Sequence, residues 1–131
     1  MKRSFRSIRT FLADDRAATA AEFALVVPVF LLLMFATING SIMMSAITQM
    51  HYASERAARC LSVDVDGLCP AGSIDTFAKS LYNGPALDGM TFVAADLACG
   101  NQVVGSGTYE LVSGIDVTSV SLSSTACYPK I

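Results

Sequence analysis

Charge is what this chain has least of. Only 15% of its 131 residues are charged, where soluble domains carry about 25%. Histidine is nearly absent: His51 is the only one, so a nucleophilic serine or cysteine would lack a second histidine to serve as its base. The sequence contains no glycine-rich phosphate loop, no G-x-S-x-G and no H-E-x-x-H, which removes the commonest routes to phosphoryl transfer, ester hydrolysis and zinc-dependent proteolysis. It contains no C-x-x-C pair, and His51 is distant from the later cysteines, so a zinc site ranks well below disulfides. Asp64-x-Asp66-Gly67 starts like a calcium loop but lacks the later ligands and the closing glutamate, and reads as a polar turn. The basic N-terminal tail reads as a topology signal rather than a nucleic-acid patch, and no basic surface interleaved with aromatics appears elsewhere. The expectation is a non-enzymatic protein with no cofactor, no metal and no nucleic-acid partner.

What the chain does have is apolar length. From Phe23 to Met50 run 28 residues without a formal charge. As helix they would extend about 42 Å at 1.5 Å per residue, enough to cross a hydrocarbon layer of about 30 Å. The remainder of the chain is too short to bury such a helix on all sides, so the lipid reading stands above the buried-core one. A cleaved secretory signal has a shorter apolar core of about 7–15 residues, and the segment is expected to stay with the protein. Orientation follows from charge. Lys2, Arg3, Arg6, Arg9 and Arg16 precede the run against Asp14 and Asp15, whereas residues 51–131 hold four basic side chains against eight acidic ones. Basic residues gather on the cytoplasmic flank of a span, which puts the N-terminus inside.

Cys60, Cys69, Cys99 and Cys127 all follow the run, in what this topology makes an oxidising compartment. Four cysteines allow three pairings. Joining near neighbours favours Cys60–Cys69 and Cys99–Cys127.

The resulting plan is α+β. Residues 1–17 form a basic leader, 18–50 a transmembrane helix, 51–63 an amphipathic stem and 64–131 a small extracytoplasmic head carrying the disulfides. In the stem Met50, Ala53, Ala57 and Cys60 recur at helical spacing, with Glu55 and Arg59 at i,i+4 on the solvent side. The head is predicted to hold a helix from Ile74 to Tyr82, capped by Ser73 and ended by Asn83-Gly84-Pro85. Strands are predicted at Met90–Ala94, Thr108–Val112 and Ile115–Leu122, the last two joined by a turn at Ser113-Gly114.

Residues 16–28 read Arg-Ala-Ala-Thr-Ala-Ala-Glu-Phe-Ala-Leu-Val-Val-Pro. A single carboxylate, Glu22, sits just inside the apolar stretch, behind small residues and a basic leader. This resembles the TadE-like minor pseudopilins of tight-adherence (Flp, type IVb) pilus systems, over roughly residues 9–60. The resemblance implies a structural subunit for assembly of an adhesive pilus. It also implies partners: a prepilin peptidase, other pilins or pseudopilins, the assembly machinery and the membrane. The location it implies is the bacterial inner membrane, with the head periplasmic or carried into an extracellular fibre. In that family the glutamate is usually fifth after the peptidase cut, which places the cut between Ala17 and Ala18, with Ala17 standing where a glycine is usual. Glu22 and Phe23 then become assembly contacts, the carboxylate facing the new amine at Ala18 of a neighbouring subunit. From the residues alone, Glu22 serves equally well as a carboxylate capping the helix at the headgroups, and the chain equally well as a membrane anchor displaying a small binding or signalling head. Removal of residues 1–17 separates the two.

Overall fold

The computed structural model describes residues 15–63, 67, 69, 71–112 and 117–130. Most of the basic leader, the Asp64–Asp66 turn and the Ser113-Gly114 turn lie outside the described residues. The chain divides into two compact units, Met1–Ile38 and Asn39–Ile131.

One helix, α1 (Asp15–Val63), runs through both and continues past Pro28. Small, unbranched and aliphatic residues sustain it, and Glu22 is its one charge between Arg16 and Glu55. In the first unit its apolar side chains are largely exposed: Phe23 is 71% and Leu25 76% exposed. Such a surface is stable only against lipid or other apolar helices. Pro28 offers no N–H to the carbonyl one turn earlier. Two hydroxyls of the run bond back to their own helix: Thr37 Oγ1 donates to the Met34 carbonyl at 2.9 Å and Thr48 Oγ1 to that of Met44 at 2.8 Å, so neither is left unpaired.

The second unit is a helix laid on a three-stranded sheet. A short 3₁₀ turn (Ala71–Ser73) leads into α2 (Ile74–Leu81), followed by β1 (Asp88–Leu97), β2 (Gly100–Val112) and β3 (Val117–Tyr128). The strands form an antiparallel meander in the order β1-β2-β3. On α1 the residues at helical spacing, Ala46, Met50, Ala53 and Ala57, are fully buried. They meet the sheet's inner face at Phe92, Val103, Leu122 and Ala126. On α1 this face is mostly alanine, and the sheet's larger side chains pack on it. At Gly105 there is no room for a side chain: a Cβ there would lie 2.7 Å from the Phe92 ring and 2.9 Å from Met50 Cγ. The Met50 side chain fills the slot that this glycine leaves.

Leu97 pairs directly with Gly100, so the first hairpin turns on Ala98-Cys99. Gly100 has φ +119° and lies against the Tyr128 carbonyl, a position closed to any side chain. The strands are longer than the sequence pattern predicts. α2 ends at Leu81, one residue early, where Tyr82 turns extended and its N–H donates back to the Ala78 and Lys79 carbonyls. Ser73 precedes α2 but makes no side-chain capping hydrogen bond.

Asp75 does the work of fixing α2 to the sheet. Its Oδ1 accepts from the Phe92 N–H at 2.8 Å and its Oδ2 from Lys79 Nζ at 2.7 Å. The Lys79 hydrogen bond first, and the Phe92 N–H second, hold this carboxyl below its ordinary value against an opposing effect of burial. A carboxyl whose pKa is lower when folded adds stability above its unfolded pKa and loses it as pH falls through the folded value. Asp75→Asn keeps an oxygen for Phe92 but loses the ion pair, which is partly exposed and therefore worth about 0.3–0.5 kcal/mol near neutrality. Urea unfolding across pH 7 to 3 is expected to show a shallower acid limb for Asp75→Asn than for the parent chain.

Candidate functional site

Two regions carry the residues that bear on function. The first is the start of α1. Ala17, Ala18, Glu22 and Phe23 all belong to one continuous helix. Ala18 and Glu22 stand four apart and so share a helix face. Glu22 and Phe23 are both exposed, so both are available to a neighbouring helix.

The second region lies in the head, where α1 crosses the outer end of β3. His51, Tyr52, Glu55, Arg56 and Arg59 from α1 and residues 125–128 of β3 enclose a groove of about 600 Å³. His51 Nδ1 lies 3.1 Å from Ser124 Oγ, and its Nε2 lies 3.2 Å from Glu55 Oε1. A serine, a histidine and a carboxylate thus stand in line, the order of a hydrolase triad. The accessible partner is the wrong one for that chemistry. Ser124 is only 8% exposed and faces the helix, and it is not among the groove's lining residues. The line works as a polar clasp: it hydrogen-bonds a buried serine and fixes the imidazole on β3. Because Glu55 is engaged by His51, the expected Glu55–Arg59 pair does not form. Arg56 instead lies over the Tyr52 ring, 5.4 Å from its centre, a cation–π contact. Arg59 has no partner among the described residues.

The two disulfides brace this region. Cys60–Cys69 ties the end of α1 to the approach to α2, with Cα atoms 5.9 Å apart; Cys99–Cys127 ties the first hairpin turn to β3, with Cα atoms 6.3 Å apart. Ser62 Oγ adds a hydrogen bond to the Tyr128 carbonyl and accepts one from Asn101 Nδ2. Among the described residues no group of three His, Cys, Asp or Glu side chains gathers to hold a metal ion. Sequence reasoning missed the groove. His51 was readable as an isolated ring, but its partner Ser124 lies 73 residues away.

The chain thus combines a helix long and apolar enough to cross a membrane with a disulfide-linked α+β head. Residues 17–59 of the chain match the family model of the TadE-like proteins, a structural family whose members are associated with tight-adherence pilus systems and are generally not enzymes. The match begins at Ala17 and runs along α1 as far as Arg59. Comparison with curated proteins and with solved structures finds no match.

Proposed function

We propose that this chain is a minor pseudopilin-like subunit that helps assemble a tight-adherence pilus. The observation that carries the proposal is a coincidence of position. The TadE-like match begins at Ala17, the residue before the proposed cut, and the helix that follows is apolar and exposed along its first unit. In this reading a prepilin peptidase removes residues 1–17 on the cytoplasmic face. The mature helix stays in the inner membrane and packs laterally against other pilins, with Glu22 meeting the new amine at Ala18 of a neighbour. Glu22 suits that role because an ionised carboxylate near the bilayer edge is held best by a cationic partner.

The span itself is proposed to cover residues 19–38, about 30 Å of helix at 1.5 Å per residue, with the stem starting at Asn39. This is shorter than hydropathy alone suggests. What supports the shorter span is that Ala46 and Met50 are buried within the Asn39–Ile131 unit, where lipid has no access. The head is proposed to be periplasmic. A reporter enzyme fused after Ile131 is expected to be active only outside the cytoplasm, and cytoplasmic activity would overturn the orientation. Reversing the leader charge, with Glu in place of Lys2, Arg3, Arg6 and Arg9, should lower the extracytoplasmic signal by weakening the topology determinant.

A further inference from the structure

The sheet treats its two edges differently. A strand edge is a row of free N–H and C=O groups, and folded proteins usually guard it with charge, proline, a bulge or a covering element. The β1 edge is guarded. Its register is irregular between Asp88 and Thr91, and Gly89 sits there at φ +61°. Asp88 and Asp96 flank it, and Asp75 of α2 accepts its outward Phe92 N–H. The β3 edge has none of these. Val-Thr-Ser-Val-Ser-Leu-Ser-Ser-Thr-Ala-Cys-Tyr contains no charged residue and no proline, and its register with β2 runs unbroken from Val112↔Val117 to Asn101↔Tyr128.

The positions of its free groups follow from the ladder. The Phe92 N–H points away from β2, so Phe92 and Gly105 form a non-hydrogen-bonded pair. Alternation makes Gly105 and Ser124 a hydrogen-bonded pair and turns the N–H and C=O of Ser119, Ser121, Ser123, Thr125 and Cys127 outward. Beside the last of these lies the groove, lined by Arg56 and by Arg59, whose guanidinium has no partner among the described residues. Glu55, the carboxylate in the groove, is turned to His51.

We infer that the open edge of β3 receives an extended, acidic segment of another protein as a fourth strand, with a carboxylate of that segment on Arg59. Main-chain hydrogen bonds supply such an addition with affinity and side-chain pockets supply its specificity. A planar guanidinium favours a carboxylate in two-point contact. A second copy of β3 is the poorer occupant, because that strand offers Arg59 no carboxylate. The inference is independent of the pilus reading, since it rests on the head alone.

The test uses the full chain in lipid nanodiscs and a fluorescent nine-residue peptide of alternating valine and glutamate. Binding is compared with that of the same peptide carrying lysine in place of glutamate. The glutamate peptide is expected to bind at least about tenfold tighter, the scale of one charge-assisted hydrogen bond. Arg59→Glu should reverse the preference. Ser123→Pro removes an outward N–H without touching the ladder to β2, a change that edge strands accept, and should weaken binding about tenfold although every charge is kept. Equal binding of the two peptides, or no binding, overturns the inference. So does unchanged affinity in Ser123→Pro, which would mean attraction by charge alone. A chain that dimerises through β3 and ignores the peptide would assign the edge to a second copy instead. Should Ser123→Pro fail to fold, the reversal in Arg59→Glu still decides.

Discussion

Replacing Cys99 and Cys127 with serine is expected to destabilise the head by about 3.5 kcal/mol, and replacing Cys60 and Cys69 by about 2.5 kcal/mol. The difference comes from loop length. The first bridge closes 28 residues and the second 9, and the longer loop restricts the unfolded chain more. Geometry points the same way for the first pair, since Cys99 sits on the hairpin turn between β1 and β2 and the bridge fastens that turn to the third strand. The second pair carries an added cost, because Cys69 is 4% exposed and a serine there buries a hydroxyl. Even so, the loop term should keep the order. A head this small has little stability to spare: a domain of roughly this size gains only about 3–5 kcal/mol from a single core. Loss of the Cys99–Cys127 bridge is therefore expected to leave a large fraction unfolded. Urea titration of the full chain in micelles, followed by circular dichroism, measures both. A larger loss from the shorter loop would contradict the entropic argument.

The second large effect concerns the start of α1 and separates processing from assembly. Ala17→Leu is expected to abolish cleavage, because a peptidase that grips the backbone before the cut needs a small side chain there. Glu22→Gln is expected to leave cleavage largely intact and to reduce incorporation into pili by roughly 10- to 150-fold. That range converts about 1.5–3 kcal/mol, the worth of a hydrogen bond to a charged group, in a setting where low dielectric strengthens it. The neutral amide keeps the shape of the carboxylate and loses its charge. Immunoblotting separates the precursor from the shorter mature chain, and sheared surface fractions report incorporation. Normal incorporation of Glu22→Gln would leave Glu22 as a helix cap at the headgroups and nothing more.

The long helix was legible because a 28-residue uncharged run has few other solutions, and its stop near Val63 because the polar, glycine-bearing stretch after it cannot continue a helix. The buried stripe of Met50, Ala53 and Ala57 followed from spacing alone. The sheet was harder to read. β2 begins Gly-Asn-Gln-Val-Val-Gly-Ser-Gly, a stretch whose glycines argue locally against a strand. Each of those glycines meets a partner far along the chain: Gly100 the Tyr128 carbonyl, Gly105 the Phe92 ring and Met50, and Gly107 Leu87 and Met90. β3 likewise ends in small and hydroxyl-bearing residues, and Ser124 and Ala126 face inward in alternation with Leu122 although neither reads as a core residue. The candidate site shared this fate. Glu55 and Arg59 have ideal spacing for a pair, but Ser124 pins His51 beside Glu55. Arg59 is without a partner among the described residues, and no local pattern encodes that exchange, because it depends on a contact across 73 positions.

The most direct measurement of the central claim is the intact mass and N-terminal sequence of the protein purified from cells that also make the pilus and its prepilin peptidase. A mature chain that begins at Ala18, lacks residues 1–17 and keeps the whole of α1 from that point is the predicted result. A chain that still carries Met1 through Ala17 in those cells would contradict the pseudopilin reading and leave a membrane-anchored head.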